Sequence, residues 1–369
     1  MLNNKPFLTA DPQKQPIRVL VVDDSAFMRL TITRYLSDSP GIQVVGSARD
    51  GQEALDLIPR LKPDVITLDV EMPRMDGLSA LKVIMSEHPR PVIMLSSLTT
   101  EGALETIQAL TLGAVDFISK PTNKANIAAV MEDVANKIRQ AATAKVRPTF
   151  TPRAISGIEK PVISNKSTRS LLKHDRVVVI GSSTGGPRAL NSVIPELSAR
   201  LSAAFLVIQH MPVGFTRSLA ERLDHISALK VKEAEPGDRP ETGKVLIAPG
   251  GFHMTLDENG AIALNQKPTV HGVRPAIDVT MASVVKLYGA ATIGVILTGM
   301  GNDGTNGCAL VSSAKGWVIA EDESTCVVWG MPRCVAEAGI ANVVAPLQNI
   351  AQSISQAVNG GLHSGETGR

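Results

Sequence analysis

Hydrophobic positions in the first third of the chain switch repeatedly between two periods. Short β-branched runs at Ile17–Val22, Ile42–Val45, Val65–Leu68, Pro91–Leu95 and Val115–Ile118 predict strands. Each is followed by a stretch with helical spacing, in which Met28, Ile32 and Leu36 share one face, as do Ala103, Ile107 and Leu110. Repeated strand–helix units of this kind imply a parallel sheet covered by helices on both sides. Functional groups in such a sheet collect at the carboxyl ends of its strands.

From about Ala141 to Asp175 the period is lost. This span is rich in Pro, Ser, Thr and Lys and reads as a flexible linker, with a solvated tether preferred to a basic binding stripe. Alternation resumes at Arg176. Strands are predicted at Val177–Ile180, Phe205–Ile208, Val245–Ile247, Thr292–Leu297 and Trp317–Ala320, and helices at Phe215–Asp224 and Ile277–Tyr288. A further helix after the first of these strands carries Ala189, Leu190, Val193, Ile194 and Leu197 on one side. The expected division is a polar extension over 1–16, an α/β domain over 17–140, a linker over 141–175, a second α/β domain over 176–358 and a tail over 359–369.

Composition narrows the function classes. At 369 residues the chain exceeds one ordinary domain, and 44% hydrophobic residues rule out global disorder. With 37 basic against 35 acidic side chains, the balance argues against nucleic acid or an anionic membrane as the main partner. The three cysteines, Cys308, Cys326 and Cys334, form no CxxC and suit a reducing compartment. No apolar run approaches the ~20 residues of a membrane span, so no membrane insertion is expected. Met1–Pro16 lacks the apolar core of a signal peptide, and a cytoplasmic protein is expected.

The first domain places carboxylates where chemistry is expected. Asp23 and Asp24 follow the first strand and Asp69 ends the third, so three acids converge at neighbouring strand ends. A hard divalent cation with oxygen ligands relieves their repulsion, and Mg²⁺ keeps coordination sites open for a phosphate oxygen. Ser96 and Lys120 end the fourth and fifth strands beside them. Taken singly, such residues also serve as helix N-caps. The segments VVDDS, LDVEMPRMDG, LSS and DFISKP closely resemble the signature segments of two-component receiver domains. The resemblance implies a flavodoxin-like (βα)5 fold, Asp69 as phosphoacceptor and a histidine kinase as phosphodonor. It further implies Mg²⁺ held by Asp23, Asp24, Asp69 and the Glu71 backbone carbonyl, with Ser96 and Lys120 contacting the phosphoryl group.

In the second domain Gly181-Ser182-Ser183-Thr184-Gly185 matches G-x-S-x-G between a strand and a helix, the context of a nucleophile elbow. A phosphate cradle at the helix start is the alternative, although the P-loop lysine and the dinucleotide glycine spacing are missing. A serine nucleophile needs a base and an orienting acid. His210 closes the next strand, with His253 as its rival; His88, His174, His225, His271 and His363 sit in helix or loop contexts without a nearby nucleophile signal. Asp303 lies in Thr298-Gly-Met-Gly-Asn-Asp303-Gly and reads either as the acid or as a cap of the helix beginning there. Thr184, Met300 and nearby backbone N–H groups are candidates for the oxyanion and substrate region.

The segments IGSSTGG, VIQHMPVGFTRSLAERL, KEAEPGD, IAPGGFHM, RPAIDV, GVILTGMGNDG and CVVWGMP resemble the chemotaxis protein-glutamate methylesterase family across about 176–358. The resemblance implies a doubly wound, mainly parallel α/β domain with Ser183 as nucleophile, His210 as general base and Asp303 as orienter. It implies hydrolysis of glutamate γ-methyl esters on bacterial chemoreceptors, deamidation of receptor glutamines, and ester chemistry without a cofactor. Residue 182 is serine where the family commonly has alanine, so two serines adjoin; the motif frame and the family both select Ser183. Competing readings are a receiver coupled to DNA binding, which needs a basic helix-turn-helix, and nucleotide binding through Gly181–Gly186.

Overall fold

The computed structural model describes residues 15–97, 99–120, 127–146, 168–171 and 175–360. The polar extension up to residue 14, residues 147–167 and 172–174 of the expected linker (with His174), and the tail from residue 361 (with His363) lie outside the described residues.

In the first unit the elements run β1 (Ile17–Val22), α1 (Ala26–Ser37), β2 (Ile42–Ala48), α2 (Gly51–Leu61), β3 (Val65–Asp69) and α3 (Gly77–Glu87). They continue through β4 (Val92–Ser96), α4 (Thr100–Leu112), β5 (Asp116–Ser119) and α5 (Ile127–Ala141). All pairs in the sheet are parallel, in the order β2-β1-β3-β4-β5. This is the flavodoxin-like winding, in which the order reverses at β1 and opens a crevice beyond the ends of β1 and β3. Val19–Val22, Ile66, Leu68, Ile93 and Met94 are fully buried, which explains why these strands read as continuous apolar runs rather than alternating ones. The N-caps fall to other residues than the candidate acids. Ser25 accepts from Met28 N, Asp50 from Glu53 N and Asp76 from Ser79 N, while Thr99 accepts from Gly102 N. Asp23, Asp24, Asp69 and Ser96 are therefore released from the capping role that each could have filled alone.

The second unit opens with β6 (Arg169–Ser170), β7 (Arg176–Ser182), α6 (Gly186–Val193), β8 (Ala203–Gln209), α7 (Phe215–Ile226) and β9 (Lys230–Glu233). There follow β10 (Glu241–Thr242), β11 (Lys244–Ile247), β12 (His253–Leu256), β13 (Ile262–Asn265), α8 (Ile277–Tyr288) and β14 (Thr292–Ile296). The unit closes with α9 (Thr305–Ser313), β15 (Trp317–Glu321), α10 (Met331–Glu337), β16 (Val343–Ala345) and α11 (Leu347–Asn359). Seven strands form one parallel sheet in the order β16-β15-β14-β7-β8-β11-β9. Its winding leaves β7 in one direction toward β8 and returns on the other side at β14, so the ends of β8, β7 and β14 lie side by side.

Every strand expected from the apolar runs is present. The additions are short: the antiparallel pairs β6–β10 and β12–β13, and the sheet strands β9 and β16. Inside the span read as a tether, Arg169–Ser170 pairs with Glu241–Thr242, and the Arg169 guanidinium grips the buried Asp175 carboxylate at 2.6 and 3.0 Å. Among the described residues, no helix is long and apolar enough to cross a membrane.

Candidate active site

At the end of β7 the two adjacent serines have opposite environments. Ser182 is fully buried, and its hydroxyl donates to Gln209 Oε1 at 2.6 Å. The Gln209 amide in turn donates to the carbonyls of Ser183 and His210, both at 3.0 Å, which stitches the ends of β7 and β8 together. Ser183 is partly exposed, and its hydroxyl has no hydrogen-bond partner among the described residues. Its own N–H donates to Thr298 O at 3.0 Å and so ties the turn to β14.

Two glycines shape this turn. Gly185 holds φ +79°, a left-handed conformation that glycine adopts without strain, and α6 starts directly after it. The positive end of that helix therefore lies just beyond Ser183, where it favours negative charge. Gly299 approaches from the other side; a Cβ there would come within 2.7 Å of Ser183 Cβ. The carbonyl of Thr184 accepts the Thr298 hydroxyl at 3.0 Å, and Met300, on the same loop, is half exposed. Buried Glu321 at the end of β15 accepts from Thr298 N at 2.8 Å and holds this loop; burial pushes its carboxyl up despite that bond.

His210 follows β8, and its Nε2 lies 2.8 Å from Asp303 Oδ2, with both side chains almost fully buried. Asp303 does more than cap the helix that begins beside it. Its Oδ2 accepts from Ile277 N at 2.7 Å, and its Oδ1 from Asp278 N and Gly304 N, each at 3.0 Å. The N-terminus of α8, from 25 and 26 residues earlier, thus holds the acid in place. Burial pushes the Asp303 carboxyl up, but the His210 imidazole and the α8 N–H groups outweigh it and hold it below the usual carboxylate range. An ionised carboxylate only accepts, so Nε2–H donates to Asp303 and Nδ1 is the ring nitrogen left for another partner. His253 is elsewhere engaged: it is buried on β12, with Nε2 donating to Pro268 O at 3.1 Å.

Gln209, Glu321, Asp278 and His271 belong to this neighbourhood without having been singled out. His271, read as a loop histidine, bonds Asp278 at 2.9 Å and lies in one cluster with Asp303. Two local signals pointed here: Gln209 sits beside His210, and Asp278 is the acid of RPAIDV.

In the first unit, Asp23, Asp24 and Asp69 offer oxygens within 4.8 Å of one another. Lys120 Nζ reaches Asp69 Oδ2 at 2.7 Å and Asp23 Oδ2 at 3.1 Å, and among the described residues neither oxygen has a further donor. One ammonium against three carboxylates leaves surplus negative charge in an oxygen-lined crevice, a donor set that suits Mg²⁺. Burial, opposed by Lys120 and reinforced by Asp23 and Asp24, raises the Asp69 pKa to about 6. Ser96 is buried beside Lys120, whose N–H donates to Ser96 O at 2.8 Å. The Glu71 side chain accepts from Ser97 at 3.1 Å.

With Asp69 raised, the folded state holds a proton that the unfolded chain has lost, so without cation stability falls as pH rises from about 4 to about 6. Thermal melts should show Mg²⁺ raising the transition of the first unit by several degrees at pH 7.5 and by much less at pH 5. Equal shifts at the two pH values would contradict this reading of the cluster.

The first unit has the architecture of a receiver domain, and the second is a parallel α/β unit that gathers a serine, a histidine and an aspartate beyond adjacent strands. Family comparison agrees unit by unit: residues 19–132 match the response regulator receiver domain and 178–354 the CheB methylesterase domain. A protein-glutamate methylesterase/protein-glutamine glutaminase of Symbiobacterium thermophilum is 50% identical over 367 residues, covering 95% of this chain and 100% of the relative. One from Pyrococcus abyssi is 45% identical over 359 residues, covering 96% of each. The Thermotoga maritima CheB catalytic domain, a crystal structure, is 49% identical over 50% of this chain and 99% of its own length, with a TM-score of 0.49. The chain belongs to the protein-glutamate methylesterase/protein-glutamine glutaminase family, the receiver-bearing CheB methylesterases.

Proposed function

We propose that this chain hydrolyses γ-methyl esters of glutamate side chains on methyl-accepting chemoreceptors, deamidates receptor glutamines by the same acyl chemistry, and is controlled by phosphorylation of Asp69. The observation that carries the reading is the division of labour at the end of β7. Ser182 is locked to Gln209, while Ser183 is the serine with a free hydroxyl, one strand from the His210–Asp303 pair.

In this mechanism Ser183 Oγ attacks the ester carbonyl as His210 Nδ1 takes its proton. Asp303, bonded to Nε2, keeps the imidazole in the competent tautomer and stabilises the imidazolium. Because the Ser183 N–H is committed to Thr298, the oxyanion is assigned to the region of Thr184 and Met300 and to the positive end of α6. His210 then protonates departing methanol, and water releases the acyl group through the same base. For the receiver, Asp23, Asp24 and Asp69, with the Glu71 carbonyl, would hold Mg²⁺, which supplies charge neutralisation for phosphoryl transfer from a histidine kinase. Lys120 and Ser96 are the residues assigned to the phosphoryl oxygens once Asp69 carries them.

The test is methanol release from methylated receptor membranes, with and without a small-molecule phosphodonor. Asp69→Asn should abolish stimulation by the donor while leaving basal turnover. A fragment starting just before Arg169, which keeps β6 and the Asp175 ion pair, should exceed the basal rate of the unphosphorylated full chain. A fragment no faster than that chain would mean that the receiver stimulates or targets the enzyme rather than restraining it.

A further inference from the structure

The cluster of His271, Asp278 and Asp303 has ligand atoms close enough for a metal ion, but its hydrogen bonds leave no room for one. Each of the four carboxylate oxygens already accepts two donors. Those of Asp303 take Asp278 N and Gly304 N on one oxygen, and Ile277 N and His210 Nε2 on the other. Asp278 takes Gly304 N at 2.9 Å and Gly307 N at 2.7 Å on Oδ1, and His271 Nε2 at 2.9 Å and Asn306 Nδ2 at 3.3 Å on Oδ2. A cation would have to displace backbone N–H groups at two helix starts.

These bonds form a reciprocal exchange. Asp303, just before α9, accepts the first two N–H groups of α8; Asp278, in the first turn of α8, accepts the N–H of Gly304, at the start of α9, and that of Gly307 in its first turn. Gly304 N–H is shared between the two acids, so a shift of one carboxylate moves the donor that holds the other. His271 closes the arrangement. Val270 and Val273 pair in both directions around a two-residue loop in which His271 and Gly272 are left-handed, at φ +54° and +78°. Asparagine or glycine is the usual choice there; histidine in that place delivers its imidazole to Asp278.

We propose that Asp278, anchored by His271, is a positioning residue for the Asp303–His210 pair: it acts through the shared Gly304 N–H and never touches substrate. The inference rests on the reading of Asp303 as the orienter of a hydrolytic base. The charged and titratable groups in the network are Asp303, Asp278, His271 and His210, with the Cys308 thiol of α9, which burial and the Asp278 charge hold protonated, beside them. Removing the Asp278 charge therefore also lowers the stabilisation of an imidazolium at His210.

The test is the pH dependence of methanol release by the full-length protein with phosphodonor. Asp278→Asn keeps the shape and should lower kcat on the order of 10- to 100-fold, as expected for a misplaced catalytic group, with KM within about twofold. The acid limb of kcat/KM should move to lower pH. His271→Asn, at home in a left-handed turn, should move both quantities in the same direction by less, and it decides the matter if Asp278→Asn does not fold. Unchanged kcat and acid limb in the folded variants would overturn the proposal. So would a fall in kcat with the acid limb unmoved, which is what a purely structural cap would give. A wild-type protein that releases no methanol and takes up no serine-directed phosphonate would instead refute the hydrolase reading itself.

Discussion

Ser183→Ala should remove essentially all methanol release, a loss of several orders of magnitude in kcat, while Ser182→Ala keeps turnover within a few-fold of the parent. The sequence placed the two hydroxyls one residue apart in the same glycine-rich turn; the fold separates them. Ser182 points into the sheet and is buried against Gln209, where no ester can reach it. Its removal acts on stability instead. Gln209 Oε1 loses a buried donor, an effect of about 1–3 kcal/mol that lowers the melting temperature. Labelling with a serine-directed phosphonate, followed by peptide mass mapping, should find the adduct on Ser183 alone. An adduct on Ser182, or an inactive Ser182→Ala that melts normally, would move the nucleophile to Ser182.

His210→Gln should be as damaging as loss of the serine, because glutamine can still donate to Asp303 but cannot take the Ser183 proton. His253→Gln should leave kcat near normal and lower stability, since that imidazole is bonded to Pro268 O. Asp303→Asn is expected to retain more activity than Ser183→Ala, yet to be markedly less stable. Its amide –NH₂ would be turned either toward His210 or toward the N–H groups of Ile277, Asp278 and Gly304. The folded Asp303 carboxyl lies below its unfolded value, so its contribution is complete above about pH 4 and fades as pH falls through the lower folded value. The Asn variant should lack this component of acid unfolding. Normal turnover by His210→Gln together with loss in His253→Gln would transfer the base to His253.

The sheets were legible in the chain because parallel strands buried on both faces are unbroken apolar runs, as in Val177–Ile180 and Phe205–Ile208. The strands that escaped are two to four residues long and most carry mixed polarity; helices α10 and α11 also went unread. Lys230-Val-Lys-Glu233, for example, has no pattern until it pairs with β11. The candidate triad was similarly visible, since each member sits at a strand end inside a glycine-marked turn. Its supports were not. Asp278 acts on Gly304 and Gly307 across 26 and 29 residues, and His271 had no signal beyond an ordinary turn. Asp303 showed the same limit from the other side. Its local context suggested a cap for its own helix, whereas its strongest backbone partner, Ile277 N, comes from another.

The two rims of the seven-stranded sheet carry a last consequence. An unpaired strand offers a row of backbone donors and acceptors that can recruit a stranger. Here one rim, β9, is four residues long, with Lys230 exposed and Glu233 paired with Arg217 while accepting the Thr216 hydroxyl; the other, β16, has three residues. Strands this short, one of them charged, give a neighbouring molecule little to zip onto. So large a parallel sheet therefore meets a crowded neighbour with backbone rims of only four and three residues.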